Sequence, residues 1–329
     1  MVTDNPPFPQ HRIIQRSPLE LPTDFLDKIS TIISARIPPL KQSSFNFEMS
    51  ESAAKHNATI LQQYDYDMTR VISAMNNSHI GYGSEFRPVS IFQSIFQKIP
   101  FWKEVQLTLS RVAKYPLERI SNQCRLIKLE ESICRGNHQS AVKNPVVLNK
   151  LIDKEAKMGF QLPITIDSIR NMPHACIAPY GIIEQQTIDE SGKQIPKFTM
   201  AQNQSFKSSS ATSINSRVKR NKLLNLVYGN TFRRILHCIH WLCFHYPSDP
   251  ILVGKFNFSL AYRQMTMWGH SAAASCTKFN NIGYVSLRLT FGGSPCPFLW
   301  CSASKMITDL ANDLLFFQAW DPTTILSPH

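Results

Sequence analysis

The chain has 329 residues, a hydrophobic fraction of 43% and a formal charge of +12, which is enough apolar material for one or two globular domains. The most apolar stretch, 232–246, spans about fifteen residues and carries Arg233, Arg234 and three histidines, too short and too polar to cross a bilayer. The opening "MVTDNPPFPQHRII" has no apolar leader and the eight cysteines form no Cys-x-x-Cys pair, so a reducing intracellular setting, cytoplasm or nucleus, is expected.

In chain order, residues 1–45 are proline-rich ("NPPFPQ", "SPLELP", "RIPPLKQSS") and weakly periodic, which predicts a loosely structured lead-in. Residues 46–180 read as a helical region. "SESAAKHNATILQQYDYDMTRVISAM" opens at a Ser cap with Glu51 close behind, "PVSIFQSIFQKIPFWKEVQLTLSRVAKYPL" is broken at Pro100, and "NPVVLNKLIDKEAKMG" ends at Gly159. From 181 to 329 the elements alternate. "GIIEQQTIDESGKQIPKFTMA" predicts a hairpin of two short strands around Glu190, Ser191 and Gly192. A serine-rich loop at 206–213 follows, and then one long amphipathic stretch over 215–247 whose apolar residues recur at three- and four-residue steps. The strands "ILVGKFNF" and "YVSLRLTF" and a last helix over 297–318 complete the pattern. The expected fold class is α+β.

Charge is unevenly distributed. Between residues 191 and 308 there are fourteen Lys and Arg and a single acid, Asp249. A one-sign field of this extent attracts polyanions, nucleic acid first among them; a solvated basic face without a ligand is the alternative. Within it, "HCIHWLCFH" crowds five potential metal ligands into nine residues. On a helix they spread around the axis, which favours a buried or half-buried helix over a zinc site. No G-x-S-x-G elbow and no G-x-x-x-x-G-K-[ST] phosphate loop occurs.

"GKFNFSLAYRQM", followed by "LRLTFGGSPCPFLW", resembles the second half of a retrotransposon reverse transcriptase, an RNA-directed DNA polymerase. "PKFTMAQNQSF" resembles the fingers segment of that family, and "YGSEFRP" and "GNHQSA" pieces of the region that precedes the polymerase. The resemblance implies a helical N-terminal region followed by the incomplete fingers and palm of a right-hand polymerase. It implies template-directed nucleotidyl transfer and an RNA or DNA template-primer as partner. An intact member uses Mg²⁺ held by aspartates. Here the first of those aspartates is replaced by Asn257, and the family's Tyr-x-Asp-Asp turn occurs nowhere in the sequence. The expectation is therefore an inactive, degenerate copy that binds no metal cofactor, with any Tyr-x-Asp-Asp turn encoded downstream of residue 329.

Other positions carry over by the same resemblance. Lys197, Phe258, Tyr262, Gly292 and Gly293 fall at nucleotide-binding positions, although the arginine expected two residues after Lys197 is Thr199 and the family's His-Asp appears as Gln202-Asn203. Tyr262 reads equally as a core tyrosine, and Gly292-Gly293 as a plain turn. Arg217, Lys219, Arg220 and Lys222, from the basic segment, are the expected contacts to nucleic acid. The alternative function is a non-enzymatic basic RNA- or DNA-binding protein.

Overall fold

A computed structural model of the chain describes residues 43–74, 113–189, 191–207, 212–223, 231–251 and 260–301, with a few single positions outside them. Most of the proline-rich lead-in, most of 88–117, the expected strand with Asn257 and Phe258, and most of the expected last helix over 297–318 lie outside the described residues.

Helix α1 (Glu51–Gln63) starts where the Ser50 hydroxyl accepts the Ala53 N–H, with Glu51 in the first turn, a favourable cap and dipole arrangement. Its inner face is Ala53, Ala54, Asn57 and Leu61. Asn57 is fully buried and spends both ends of its amide: its Oδ1 accepts from Asn46 N–H, and its Nδ2 donates to Asn46 O and, at 2.7 Å, to Pro163 O. Helix α2 (Met68–Ala74) follows. Helix α3 (Asn122–Arg135) is capped by Ser121 and stops at Gly136, and α4 (Gln139–Val142) is a single turn. Helix α5 (Pro145–Lys157) has proline in its first turn and ends before Gly159, whose φ is 71°.

Directly after Gly159, residues expected to be helical form strand β1 (Gln161–Thr165). It pairs antiparallel with β5 (Ile282–Ser286), which pairs on its other side with β4 (Cys276–Phe279), giving the order β1-β5-β4. Pro163 lacks an N–H, which an edge strand tolerates, and the Pro163 carbonyl is the one that Asn57 takes. Thr165 then caps the short helix α6 (Ile166–Asn171).

The predicted hairpin is present as β2 (Tyr180–Ile188) and β3 (Gln194–Gln202), nine residues each. Asp189 organises its turn by accepting from Ser191 and Lys193 N–H and from the Ser191 hydroxyl, and Gly192 has φ 82°. The base of the hairpin is buried, with Tyr180, Ile182 and Met200 packed on Leu148 and Ile152 of α5, while its outer half is exposed.

The expected single amphipathic helix over 215–247 is not continuous. Asn215–Arg217 and Arg220–Lys222 are separate 3₁₀ turns, and helix α7 runs only from Thr231 to His245, before Pro247. Extended backbone at Val218 and Leu223 ends each turn. Helix α7 is also not buried: Ile239 and Leu242 are half-buried, while Leu236, Cys238, Trp241, Cys243 and Phe244 are exposed. The short helix α8 (Gly269–Ala273) precedes β4.

One core joins the two halves of the sequence. Phe45, Leu61 and Ile72 lie in a single cluster with Leu162, Met267 and Leu289. Strand β1, from the expected N-terminal region, pairs with β5 of the later segment. The mixture of helices with antiparallel sheets is the expected α+β class.

Candidate functional site

The glycine hinge is built from the end of the extended chain that follows β5. Leu287 N–H donates to Phe160 O and Leu289 N–H to Met265 O, keeping the backbone extended. At Phe291 the chain turns. The Phe291 carbonyl accepts the Gln202 N–H at 2.9 Å, so the end of β3 is bonded to the hinge. Gly292 has φ 108°, and a Cβ there would overlap the Gln202 carbonyl oxygen. Gly293 faces the Tyr115 hydroxyl, the Cys296 sulfur and Gln204 Oε1. The backbone approaches another part of the protein at this hinge, and only glycine permits that spacing.

Asn215 fastens the arrangement. Its Nδ2 donates to Gly292 O at 2.7 Å and to Ser205 Oγ at 2.8 Å, while its Oδ1 accepts Ser294 N–H at 2.7 Å. Beneath it, Gln202 Nε2 donates to Ser286 Oγ, and Gln204 Nε2 to Thr290 Oγ1 and Ser275 Oγ. Tyr115 and Cys296 share a 2.8 Å hydrogen bond in the interior. Burial pushes the Tyr115 phenol well above its ordinary range and the Cys296 thiol up to about 11. Both are neutral packing groups at physiological pH and not nucleophiles. Residues 296–301 then begin the next helix.

Tyr262 lies on the 3₁₀ turn Ala261–Gln264 and is half-buried against the core, its ring 5.1 Å from that of Phe291. It thus meets the residue before the hinge. Its neighbour Arg263 is 2% exposed. It makes a bidentate pair with Glu155 of α5, at 2.6 and 2.7 Å, and donates to Leu289 O at 3.1 Å. Removing one partner of such a pair costs about 3–5 kcal/mol. Arg263 therefore ties α5 to the strand that leads into the hinge.

The remaining predicted residues are placed apart. Lys197 is exposed on β3 opposite Gln185. It lies five residues from Gln202, roughly 17 Å along a strand, so it does not reach the hinge glycines. Lys219, just before the second 3₁₀ turn, and Arg220 and Lys222 on it are exposed. Arg217 departs from the expected surface contact: it is 7% exposed and both Nε and Nη2 donate to Glu118 O. Asn257 and Phe258 lie outside the described residues. Among the described residues no group of three or more His, Cys, Asp or Glu side chains is placed to share a metal ion, and no helix is long and apolar enough to cross a membrane.

Sequence reasoning missed Asn215, Gln204, Tyr115 and the Glu155–Arg263 pair. Each has a partner 71 or more residues away, a separation at which local periodicity is blind. No protein-family model, curated protein or solved structure matches the chain.

Proposed function

We propose that the chain is a reverse-transcriptase-like protein of a retrotransposon, related to the RNA-directed DNA polymerases, that binds an RNA or DNA template-primer without extending it. The observation that supports this reading is the meeting of its two motif blocks. Tyr262 of the first packs on Phe291 of the second, and the hinge glycines after Phe291 abut the hairpin that carries Lys197. By the resemblance, these two blocks are neighbours in the nucleotidyl-transfer site of the family, and here they are in contact through Tyr262 and Phe291.

The residues present do not fit a pair of magnesium ions. Asn257 offers a neutral carbonyl oxygen where a carboxylate is needed, and the sequence contains no Tyr-x-Asp-Asp turn. A metal clamp on the attacking and leaving oxygens is worth several kcal/mol, and each ~1.4 kcal/mol is tenfold in rate. The proposal contains no metal-dependent step.

A second reading, a non-enzymatic nucleic-acid-binding protein that uses the basic segment alone, is favoured by the exposed Lys219, Arg220 and Lys222. The experiment pairs primer extension with acetylation footprinting on a recessed template-primer. The expected result is no incorporation with Mg²⁺ or Mn²⁺ and protection of Lys197 together with Lys219 and Lys222. Template-dependent incorporation above a mock preparation overturns the inactivity. Protection of Lys219 and Lys222 without Lys197 favours the second reading.

A further inference from the structure

A cleft with a volume of about 40 Å³ opens between α3, the segment before β2 and the loop that follows β3. Since roughly 10–15 Å³ holds one water, it suits a single phosphoryl group and not a whole nucleoside. Its lining contains Arg125, Lys128 and Arg217 but no carboxylate. Arg125 and Arg217 are each 7% exposed.

Among the described residues neither arginine has an acidic partner. Arg125 spends Nε on Asn122 Oδ1 at 2.9 Å and Nη2 on Arg170 O at 3.1 Å, and its buried Nη1 has no hydrogen-bond partner. Arg217 gives Nε and Nη2 to Glu118 O, and its Nη1 reaches only the Cys176 sulfur at 3.4 Å, a weak acceptor. Two nearby carboxylates, Glu130 of α3 itself and Asp167 of α6, are already held by Arg170. Burial draws the Arg125 guanidinium below its ordinary value, as expected of a cation lacking its anion. At the rim, Lys128 Nζ bonds Thr212 Oγ1, and Arg135 stacks over the cleft-lining Phe206 at 4.8 Å.

We propose that this cleft seats one phosphoryl group on Arg125 and Arg217, with Lys128 at its rim, and that the group is a backbone phosphate of a bound RNA or DNA strand. The choice of a backbone phosphate over a free one rests on the function proposed above; the cleft chemistry does not. Guanidinium donors that are preorganised and desolvated are the usual means of holding phosphate oxygens. The polypeptide supports the source, since exposed Lys219 follows Arg217 by two residues and Arg220 and Lys222 continue the basic run.

The test measures the melting temperature of the full chain in inorganic phosphate against chloride at equal ionic strength, and the affinity for a single-stranded oligonucleotide. Wild type should melt higher in phosphate. Arg125→Gln should lose that response and bind the oligonucleotide about tenfold more weakly. As a variant that needs no loss of packing, Ser132→Asp places a carboxylate in the same cleft. It should melt higher than wild type in chloride and show no response to phosphate. A phosphate response unchanged in both variants, or absent from wild type, overturns the site. A response that vanishes in the variants while their oligonucleotide affinity stays at the wild-type value overturns the backbone source and assigns free phosphate. Absence of oligonucleotide binding to wild type, with the phosphate response intact, overturns the proposed function and leaves the cleft standing.

Discussion

Gly292 is the residue at which local geometry and long-range packing coincide. A φ of 108° costs an L-residue about 1–3 kcal/mol from backbone strain alone, and the Gln202 carbonyl blocks the space that a methyl group would need. Gly292→Ala should therefore lower the urea midpoint and also loosen the end of β3, because the Phe291–Gln202 hydrogen bond lies beside it. Amide exchange at Gln202 is the diagnostic readout. A variant with the wild-type midpoint and wild-type protection there would show that the hinge relaxes freely, and the close approach would lose its structural meaning. The glycine pair was legible in the sequence as a hinge. Its partner was not, since nothing near residue 292 announces the backbone of residue 202.

At the scale of elements, the features that sequence revealed are those set by neighbours along the chain. Ser50 caps α1, proline opens α5 and Gly159 follows its end, each by a rule that acts within four residues. The hairpin followed from its alternation and its turn residues. Strand β1 escaped because five residues containing a proline resemble a connector, and the strand that stabilises them begins at Ile282. Helix α7 is shorter than the amphipathic stretch over 215–247 because the three- and four-residue spacing runs on through segments that are 3₁₀ turns. That segment has a consequence for binding, since Lys219, Arg220 and Lys222 face outward while Arg217 turns in. Changing the three exposed residues together to Gln should flatten the dependence of log affinity on log salt by up to about 2 units for a single strand, at about 0.7 per phosphate contact. Lys207→Gln, outside the turns, should flatten it by less than one unit. An unaltered slope in the triple variant would reduce the basic run to a solvated face.

Across the whole molecule, the sheet and the buried polar contacts cross the boundary near residue 180 at which the sequence pattern changes from helical to alternating. The segment from 181 onward supplies β4 and β5, but β1 covers one edge of that sheet, α5 carries Glu155 for Arg263, and the Asn57 amide closes on the Pro163 carbonyl. A fragment consisting of 181–329 would expose Val285 and Leu289, each fully buried in the complete chain. It would also leave the Arg263 guanidinium without its carboxylate, a loss of about 3–5 kcal/mol in a domain whose total stability is of the order of 5–15 kcal/mol. That fragment should therefore lack a cooperative thermal transition and bind a dye for exposed apolar surface. A fragment of 43–329, which retains α1, α5 and β1, should melt cooperatively. Supplying 43–180 in trans to the shorter fragment should restore the transition, because the missing contacts are those of a sheet edge and a salt bridge and not of a covalent link. A cooperative transition in 181–329 alone would establish that the C-terminal half is an autonomous domain, and the shared core would then be an interface between two units.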